Sequence, residues 1–285
     1  MSTNIMKTSR PSINRIEKKT CLPIGMTVLA LILSCGLTQA QVIIAADTFT
    51  LNGTTRVSGA SLNTIAVETG TGSWSTITDT RFSSSGTIVA SINNPNSSVS
   101  TLGEIAFTNP NPTGILSVQA DLVTSTSQWG GIGFQTSASP SQANWFSTSN
   151  LLWVYLTKSG GWYIYSGGLT TQVATGVISS YSSTTPYTLT LSYDPSTSMV
   201  DLLINGTDVS GWKSVTLGGS IGSAGFIDYA TATAGASSVD NFQLSVVPEP
   251  GSLAMTLLGG MSVMVIVLRR EKNGAILRQS QGHQA

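Results

Sequence analysis

Cysteine and histidine are scarce in this chain, and each shortage excludes a kind of chemistry. Both cysteines, Cys21 and Cys35, lie before residue 41, so the rest of the chain has no thiol, no disulfide and no cysteine-based metal site. The single histidine, His283, lies two residues before the last one. Residues 41–246 therefore lack the histidine that a Ser-His-Asp triad, a histidine general base or a histidine metal cluster requires.

Glutamate is also scarce between residues 41 and 246. The two that occur there, Glu68 and Glu104, have no carboxylate two or four residues away. Retaining glycosidases need two carboxyl groups about 5 to 5.5 Å apart. We therefore predict that the protein is not an enzyme. A glycoside hydrolase stays open as the less favoured alternative, and it would require aspartates that face each other across strands in a cleft.

Positive charge is confined mostly to the two ends of the chain, although the whole chain is formally neutral. Nine of the 13 Lys and Arg residues lie before residue 41 or after residue 246, which leaves four basic residues against ten acidic ones between them. The net charge of that central region is therefore −6. A negative charge of this size argues against nucleic acid and anionic membrane surfaces as partners.

The first 40 residues have the three parts of a secretory signal peptide. Five basic residues within the first 20 are followed by an apolar stretch over residues 22–37 and by the small-residue site Thr38-Gln39-Ala40. We predict cleavage by signal peptidase between Ala40 and Gln41. Residues 33–36 also loosely match a lipobox, so lipidation of Cys35 is the open alternative.

A three-part pattern lies near the other end of the chain. Pro248-Glu249-Pro250 is followed by an uncharged run over residues 252–268 and then by Arg269-Arg270. Seventeen helical residues extend about 25 Å, near the lower limit for crossing a bilayer core. The arginine pair marks the cytoplasmic side. We predict a transmembrane helix over residues 252–268 and a cytoplasmic tail over residues 271–285, with an ordinary membrane anchor as the alternative.

This arrangement over residues 247–270 resembles the PEP-CTERM sorting signal of Gram-negative bacteria that make extracellular polysaccharide. The resemblance implies that a membrane transpeptidase, exosortase, recognises the signal. It also implies export to the cell envelope, outer surface or extracellular matrix, with the chain held in the membrane only before processing. The tail is longer than such signals usually carry.

The region between the two signals shows the two-residue period of β-strands and no sustained helical period. Residues 187–193 alternate Tyr, Leu, Leu, Tyr on one face with Thr, Thr, Ser on the other. The same period recurs at residues 116–122, 199–204 and 239–246. Turn-rich stretches separate these runs, so the sequence predicts an all-β antiparallel sandwich of roughly 12 to 14 strands.

Two local patterns narrow the type of sandwich. The hairpin sequence over residues 189–206 and the pattern over residues 238–244 resemble those of concanavalin A-like and laminin-G-like jelly rolls. The resemblance implies a jelly-roll domain over residues 41–246, and Asp47-Thr48-Phe49 fits its first strand. Fibronectin-type and other sandwiches remain open.

Aromatic residues between positions 129 and 165 give the best candidate for a binding site. Residues 151–157 and 162–165 predict a hairpin, and a two-residue loop would place Trp153, Tyr155 and Trp162 on one face with Ile164. Flat rings of this kind can stack on sugar C–H surfaces while phenols bond to hydroxyls. We therefore expect these three residues to bind carbohydrate. In the alternative the rings fill a core or a second apolar layer, and a three-residue loop would reverse the pairing.

Oxygen ligands for calcium are available, although none forms a recognisable ligand loop. The candidates are Asp194, Asp201, Asp208, Asp228, Asp240 and Asn241. Asp194 fits a turn better than a metal site. We predict no cofactor and no metal ligand, with calcium as the open alternative.

Taken together, these patterns predict an exported, exosortase-sorted protein of the cell surface or extracellular matrix. Its jelly roll is expected to be a non-catalytic module that binds extracellular polysaccharide. A structural or adhesive matrix protein with no discrete ligand is the alternative.

Overall fold

The computed structural model describes residues 40–76, 80–90, 99–124, 129–136, 151–167, 171–230 and 237–247. Within these ranges the chain is all β, with 17 strands and no helix. The strands form two antiparallel sheets that pack face to face, so the predicted β-sandwich of jelly-roll type is confirmed. The predicted sorting residues Pro248, Glu249, Pro250, Arg269 and Arg270 lie outside the described residues, as does the predicted transmembrane span. None of the described segments is a helix long and apolar enough to cross a bilayer.

The 17 strands extend from Val42 to Val247. In chain order they are β1 (Val42–Asp47), β2 (Thr69–Gly70), β3 (Ser75–Thr76), β4 (Thr80–Phe82), β5 (Ile88–Ala90), β6 (Val99–Ala106), β7 (Ile115–Val123), β8 (Trp129–Gln135), β9 (Leu151–Thr157), β10 (Gly161–Ser166), β11 (Thr171–Val177), β12 (Tyr187–Asp194), β13 (Met199–Ile204), β14 (Thr207–Asp208), β15 (Lys213–Ser214), β16 (Ser223–Ala230) and β17 (Ser238–Val247). Four of the 17 have only two residues, too short to show a period, and the sequence prediction therefore counted too few.

The two sheets differ in strand number. The ten-stranded sheet has the order β14-β13-β12-β7-β17-β1-β2, with β4, β5 and β15 paired beside this path. The seven-stranded sheet has the order β11-β10-β9-β8-β16-β6-β3. Consecutive strands β8 to β11 form a meander at one side of this second sheet, which brings the aromatic segment predicted from the sequence onto neighbouring strands.

The alternating segments predicted from the sequence bury the faces expected of them. Strand β7 alternates half-buried and buried positions throughout, and β12 buries both of its tyrosines and both of its leucines. Strand β13 buries Val200, Leu202 and Ile204, and β17 buries Phe242, Leu244 and Val246, as predicted. These side chains meet those of the other sheet in one apolar core between the sheets. Burying a large apolar side chain contributes about 1.5 to 3 kcal/mol.

The first strand ends earlier than the resemblance to jelly rolls implied. Strand β1 stops at Asp47, and Phe49 has a positive φ of 52°, so Asp47-Thr48-Phe49 is not a continuous strand. The Asp47 Oδ1 atom accepts a hydrogen bond from the Phe49 amide at 2.8 Å, which stabilises the turn. The turn directs the Phe49 ring into the core, where it lies 5.6 Å from Trp74.

A buried ion pair holds the segment after β1 against the sandwich. The Arg56 guanidinium donates to both carboxylate oxygens of Asp47 at 2.6 and 2.9 Å and to Glu68 at 2.9 Å. The Trp74 indole also donates to Asp47, at 2.8 Å. Asp47 and Arg56 are buried, and each charge is therefore balanced by a partner with directed hydrogen bonds.

Candidate functional site

The loop between β9 and β10 determines which aromatic side chains share a face. Tyr163 pairs with Tyr155 and Tyr165 pairs with Trp153, a register that leaves Lys158, Ser159 and Gly160 as a three-residue loop. Gly160 takes a φ of 80° and its amide donates to the Thr157 carbonyl at 2.9 Å, as in three-residue hairpin loops. The expectation of a two-residue loop is therefore wrong.

Trp162 consequently lies on the opposite face from Trp153 and Tyr155. Its side chain is 5% exposed and belongs to the core between the sheets, together with Leu156 and Ile164. The indole lies close above Gly176 on β11, where an added Cβ would come within 2.4 Å of the ring. The prediction that Trp162 shares a surface with the other two rings fails, because one more loop residue inverts the side-chain alternation.

The same register brings two tyrosines to the outer face instead. Trp129, Trp153, Tyr155, Tyr163 and Tyr165 form the outer aromatic cluster, on the side of the seven-stranded sheet away from the core. Tyr155 is its centre, stacked on Tyr163 at 4.9 Å and 20° and on Tyr165 at 5.9 Å and 8°. Tyr155 also contacts both indoles, at 5.1 and 5.7 Å. The sequence indicated this cluster, because tyrosines lie on both sides of a glycine-rich loop. It did not indicate the length of that loop.

Two glycines on β8 leave room for the cluster. Gly131 lies opposite Tyr155 and Gly133 lies opposite Trp153. A Cβ atom on Gly131 would lie 2.4 Å from the Val154 carbonyl oxygen, and one on Gly133 would lie 2.5 Å from the Trp153 Cβ. Because β8 carries no side chain at these positions, the Trp129 and Trp153 rings meet above it at 5.9 Å.

The rings of the cluster differ in exposure. Trp153 is 1% exposed and packs with Leu102, Leu151 and Ile227 in a second apolar layer on this outer face. Trp129, Tyr155, Tyr163 and Tyr165 are half-buried. The part of the cluster that a ligand can touch is therefore the four half-buried rings, supported from beneath by Trp153.

The central tyrosine of the cluster, Tyr155, remains uncharged over a wide pH range. Burial, together with the neighbouring phenols of Tyr165 and Tyr163, raises the pKa of Tyr155 to about 12. A protonated phenol both donates and accepts hydrogen bonds. Such a surface is suited to an uncharged ligand with hydroxyl groups.

One carboxyl group lies on the same outer face. Glu104 on β6 is buried, and burial raises its pKa to about 7, opposed by a hydrogen bond with Ser223. Among the described residues of this face no second carboxylate accompanies it, since its cross-strand partners are Gly225 and Ser75. The arrangement of two carboxylates that glycoside hydrolysis needs is therefore not present on the described part of this face.

The acidic residues considered for calcium have other partners or lie apart. Asp194 accepts from the Ser196 amide at 2.8 Å, which confirms it as a turn residue. Asp201 accepts from Ser210 at 3.0 Å, and Asp208 accepts from the Gly211 amide at 2.7 Å. The part of the chain that the structure describes contains no group of three acidic, cysteine or histidine side chains arranged to hold a metal ion.

Three calcium candidates remain, Asp228, Asp240 and Asn241. Asp240 lies opposite Asp121 on the outer face of the ten-stranded sheet, and Asn241 donates to Asp121 at 2.8 Å. Burial, together with the neighbouring carboxylate of Asp121, raises the pKa of Asp240. Asp228 lies in β16, within the seven-stranded sheet.

The residues next to the predicted signal-peptide cleavage site are described as well. Ala40 and Gln41 immediately precede β1, and the Gln41 amide donates to the Ser245 hydroxyl at 2.5 Å. Cleavage between them remains a prediction.

Comparisons with known proteins give structural likenesses only. No model of a protein family matches the chain, and a search of curated proteins finds no match. Among solved structures, the potassium-bound carbohydrate recognition domain of Emp46p has 14% identity and a TM-score of 0.45, covering 60% of this chain and 87% of that one.

Two further solved structures resemble this chain with similar identity and TM-score. Arcelin-5, a lectin-like defence protein from Phaseolus vulgaris, has 13% identity and a TM-score of 0.45, with coverage of 61% and 92%. The carbohydrate-binding module CBM66 from Bacillus subtilis has 11% identity and a TM-score of 0.42, with coverage of 59% and 92%. Likenesses this distant do not bear on what the chain binds.

Proposed function

We propose that the chain is an exported, non-catalytic module that binds polysaccharide through the outer aromatic cluster. The observation that carries the proposal is the stack of Tyr155 with Tyr163 and Tyr165 on the outer face of the sheet. Stacked, half-buried rings offer a flat apolar surface to sugar rings, and their phenols offer hydrogen bonds at the edge. Export rests on the signal peptide predicted over residues 1–40.

The sorting step belongs to the same proposal. The Pro248-Glu249-Pro250 motif, the apolar run over residues 252–268 and Arg269-Arg270 support recognition by an exosortase-type transpeptidase. The protein would then act at the cell surface or in the extracellular matrix, where polysaccharide is available as a ligand. Replacing Pro248-Glu249-Pro250 by three alanines tests this step, because the proposal expects the unprocessed chain to accumulate in the membrane fraction.

A non-catalytic, ligand-binding role agrees with the net charge of the domain and with the single carboxylate on the described part of the outer face. The net charge between residues 41 and 246 is −6, so a neutral glycan is favoured over an acidic one. Glu104 has no second carboxylate beside it on the described part of the face. We therefore assign no catalytic residue.

A second candidate function is favoured by the burial of Trp153. Because this ring is 1% exposed and packs with Leu102, Leu151 and Ile227, the cluster also resembles a stabilising apolar layer. In that case the protein is a structural or adhesive unit of the matrix with no discrete ligand.

Binding to a panel of insoluble and soluble polysaccharides separates the two candidates. The full chain is compared with the double variant Tyr155→Ala/Tyr163→Ala, which removes the stacked pair. Trp212→Ala is the matched control, because Trp212 is an exposed aromatic residue beside β15 of the other sheet. If the cluster binds polysaccharide, the wild type and Trp212→Ala are both retained on it. Retention of the double variant is then at least tenfold lower, while its circular dichroism spectrum is unchanged. No retention on any polysaccharide would favour the structural role.

A further inference from the structure

A pocket of about 660 Å³ opens at one end of the sandwich and contains none of the outer aromatic cluster. Two connections that cross between the sheets form it, residues 107–114 between β6 and β7 and residues 215–222 between β15 and β16. The end of β12 and the turn that follows it close a third side, through Tyr193 and Pro195 respectively. Its volume is within the range of about 300 to 1,000 Å³ that small-molecule sites have.

The pocket has an apolar floor and a polar rim. Phe107, Leu116, Leu217 and Ile221 line the floor, with the ring of Tyr193. Thr108, Asn109 and Ser220 contribute to the rim, and no lining residue carries a charge. An uncharged lining of this kind cannot compensate the charge of an ionic ligand, so it suits a neutral ligand better than a charged one.

Polar groups around this pocket are free to bond to a ligand. Within the described residues, the hydroxyl groups of Tyr193, Thr108 and Ser220 form no hydrogen bond, and neither do the backbone groups of residues 218–220. The space around Gly219 is open, because a Cβ atom added there would contact only the Thr136 side chain, at 3.7 Å. The segment is therefore an open loop whose donors and acceptors face solvent at the pocket rim.

We propose that this end pocket is a second binding site, for a neutral saccharide of one or two sugar units. Free amides, carbonyls and hydroxyls beside an apolar floor match a ligand whose hydroxyls both donate and accept and whose C–H faces are apolar. The site takes a short saccharide or a chain end, because the two crossing connections and the turn after β12 enclose it on three sides. It is separate from the outer aromatic cluster, and it does not require that the cluster bind polysaccharide.

Titration of the full chain with a set of neutral mono- and disaccharides, followed by saturation-transfer NMR and calorimetry, tests the proposal. Glucuronate is the charged counterpart in the same set. Ser220→Trp is expected to block the pocket and abolish binding, whereas Ser214→Trp, at an exposed position outside it, is expected to leave binding intact. Tyr193→Phe, which removes one hydroxyl and keeps the ring, is expected to weaken binding about fivefold.

The double variant Tyr155→Ala/Tyr163→Ala distinguishes this site from the outer cluster. The proposal expects it to bind the short saccharides as the wild type does. Failure of every neutral saccharide to bind the wild type would overturn the proposal. So would binding that survives Ser220→Trp, binding that the double variant abolishes, or a preference for glucuronate.

Discussion

Tyr155 and Tyr163 lie directly opposite each other on neighbouring strands, and their rings stack with centroids 4.9 Å apart. This pair exists because the loop between their strands has three residues, with Gly160 in a left-handed conformation. If the same sequence formed a two-residue loop, Trp162 would share a face with Tyr155 and Tyr163 would point into the core. The identity of the surface rings thus depends on a single residue of loop length.

Replacing Trp162 by alanine is expected to destabilise the fold rather than to remove a binding residue. The indole is 5% exposed in the core between the sheets, so its loss should lower the free energy of unfolding by about 3 to 5 kcal/mol. Trp212→Ala, at an exposed position, should change it by less than about 0.5 kcal/mol. Urea denaturation measures both. Equal, small effects of the two substitutions would mean that Trp162 is not a core residue.

Breaking the buried ion pair at Arg56 is expected to be costly. In Arg56→Met the Asp47 carboxylate stays buried without its main partner, which should lower the free energy of unfolding by about 3 to 5 kcal/mol. Lys213→Met, at an exposed site, is the control. The double variant Asp47→Asn/Arg56→Met should lose less than the sum of the two single changes. Strict additivity in the denaturation midpoints would contradict the account of a coupled pair.

Glu104 should make the stability of the protein fall as the pH rises from about 4.5 to about 7. Its pKa is raised from 4.5 to about 7 in the folded state, so over this range the folded chain holds a proton that the unfolded chain has released. The free energy of unfolding should decrease by about 3 kcal/mol across that window and stay level above it.

The matched variant for this pH dependence is Glu104→Gln, which keeps the shape of the side chain and cannot ionise. Its stability relative to the wild type should increase between pH 4.5 and pH 7. Thermal unfolding at closely spaced pH values provides the measurement. A difference between the two proteins that does not change with pH would show that Glu104 titrates normally.

Most of the sandwich could be predicted from the sequence, because a strand with one buried face shows it as a two-residue period. Strand β12, with alternating Tyr, Leu and Thr, is the clearest case. Contacts between distant segments could not be predicted in this way. The Asp47 carboxylate meets the Trp74 indole 27 residues away, and no local pattern marks either as the other's partner.

The segment that carries the candidate site could be predicted from the sequence, but the set of side chains that share its surface could not. The aromatic residues of β9 and β10 were evident, whereas the adjacent Gly160 and Gly161 permitted more than one loop length. Trp129 joins the cluster from β8, and its contribution depends on Gly131 and Gly133 having no side chain to separate the rings. Such an arrangement follows from strand order, which periodicity does not specify.

Binding by the outer aromatic cluster is best tested on the tyrosine rings themselves. The full chain with ¹³C-labelled tyrosine rings is titrated with a polysaccharide that retains the protein, and the NMR signals are assigned by single Tyr→Phe variants. If the cluster binds the polysaccharide, the signals of Tyr155, Tyr163 and Tyr165 shift, whereas those of Tyr181 and Tyr187, a stacked pair elsewhere in the fold, do not. Shifts confined to other tyrosines, or no shift at saturation, would contradict the assignment of the outer aromatic cluster as the binding surface.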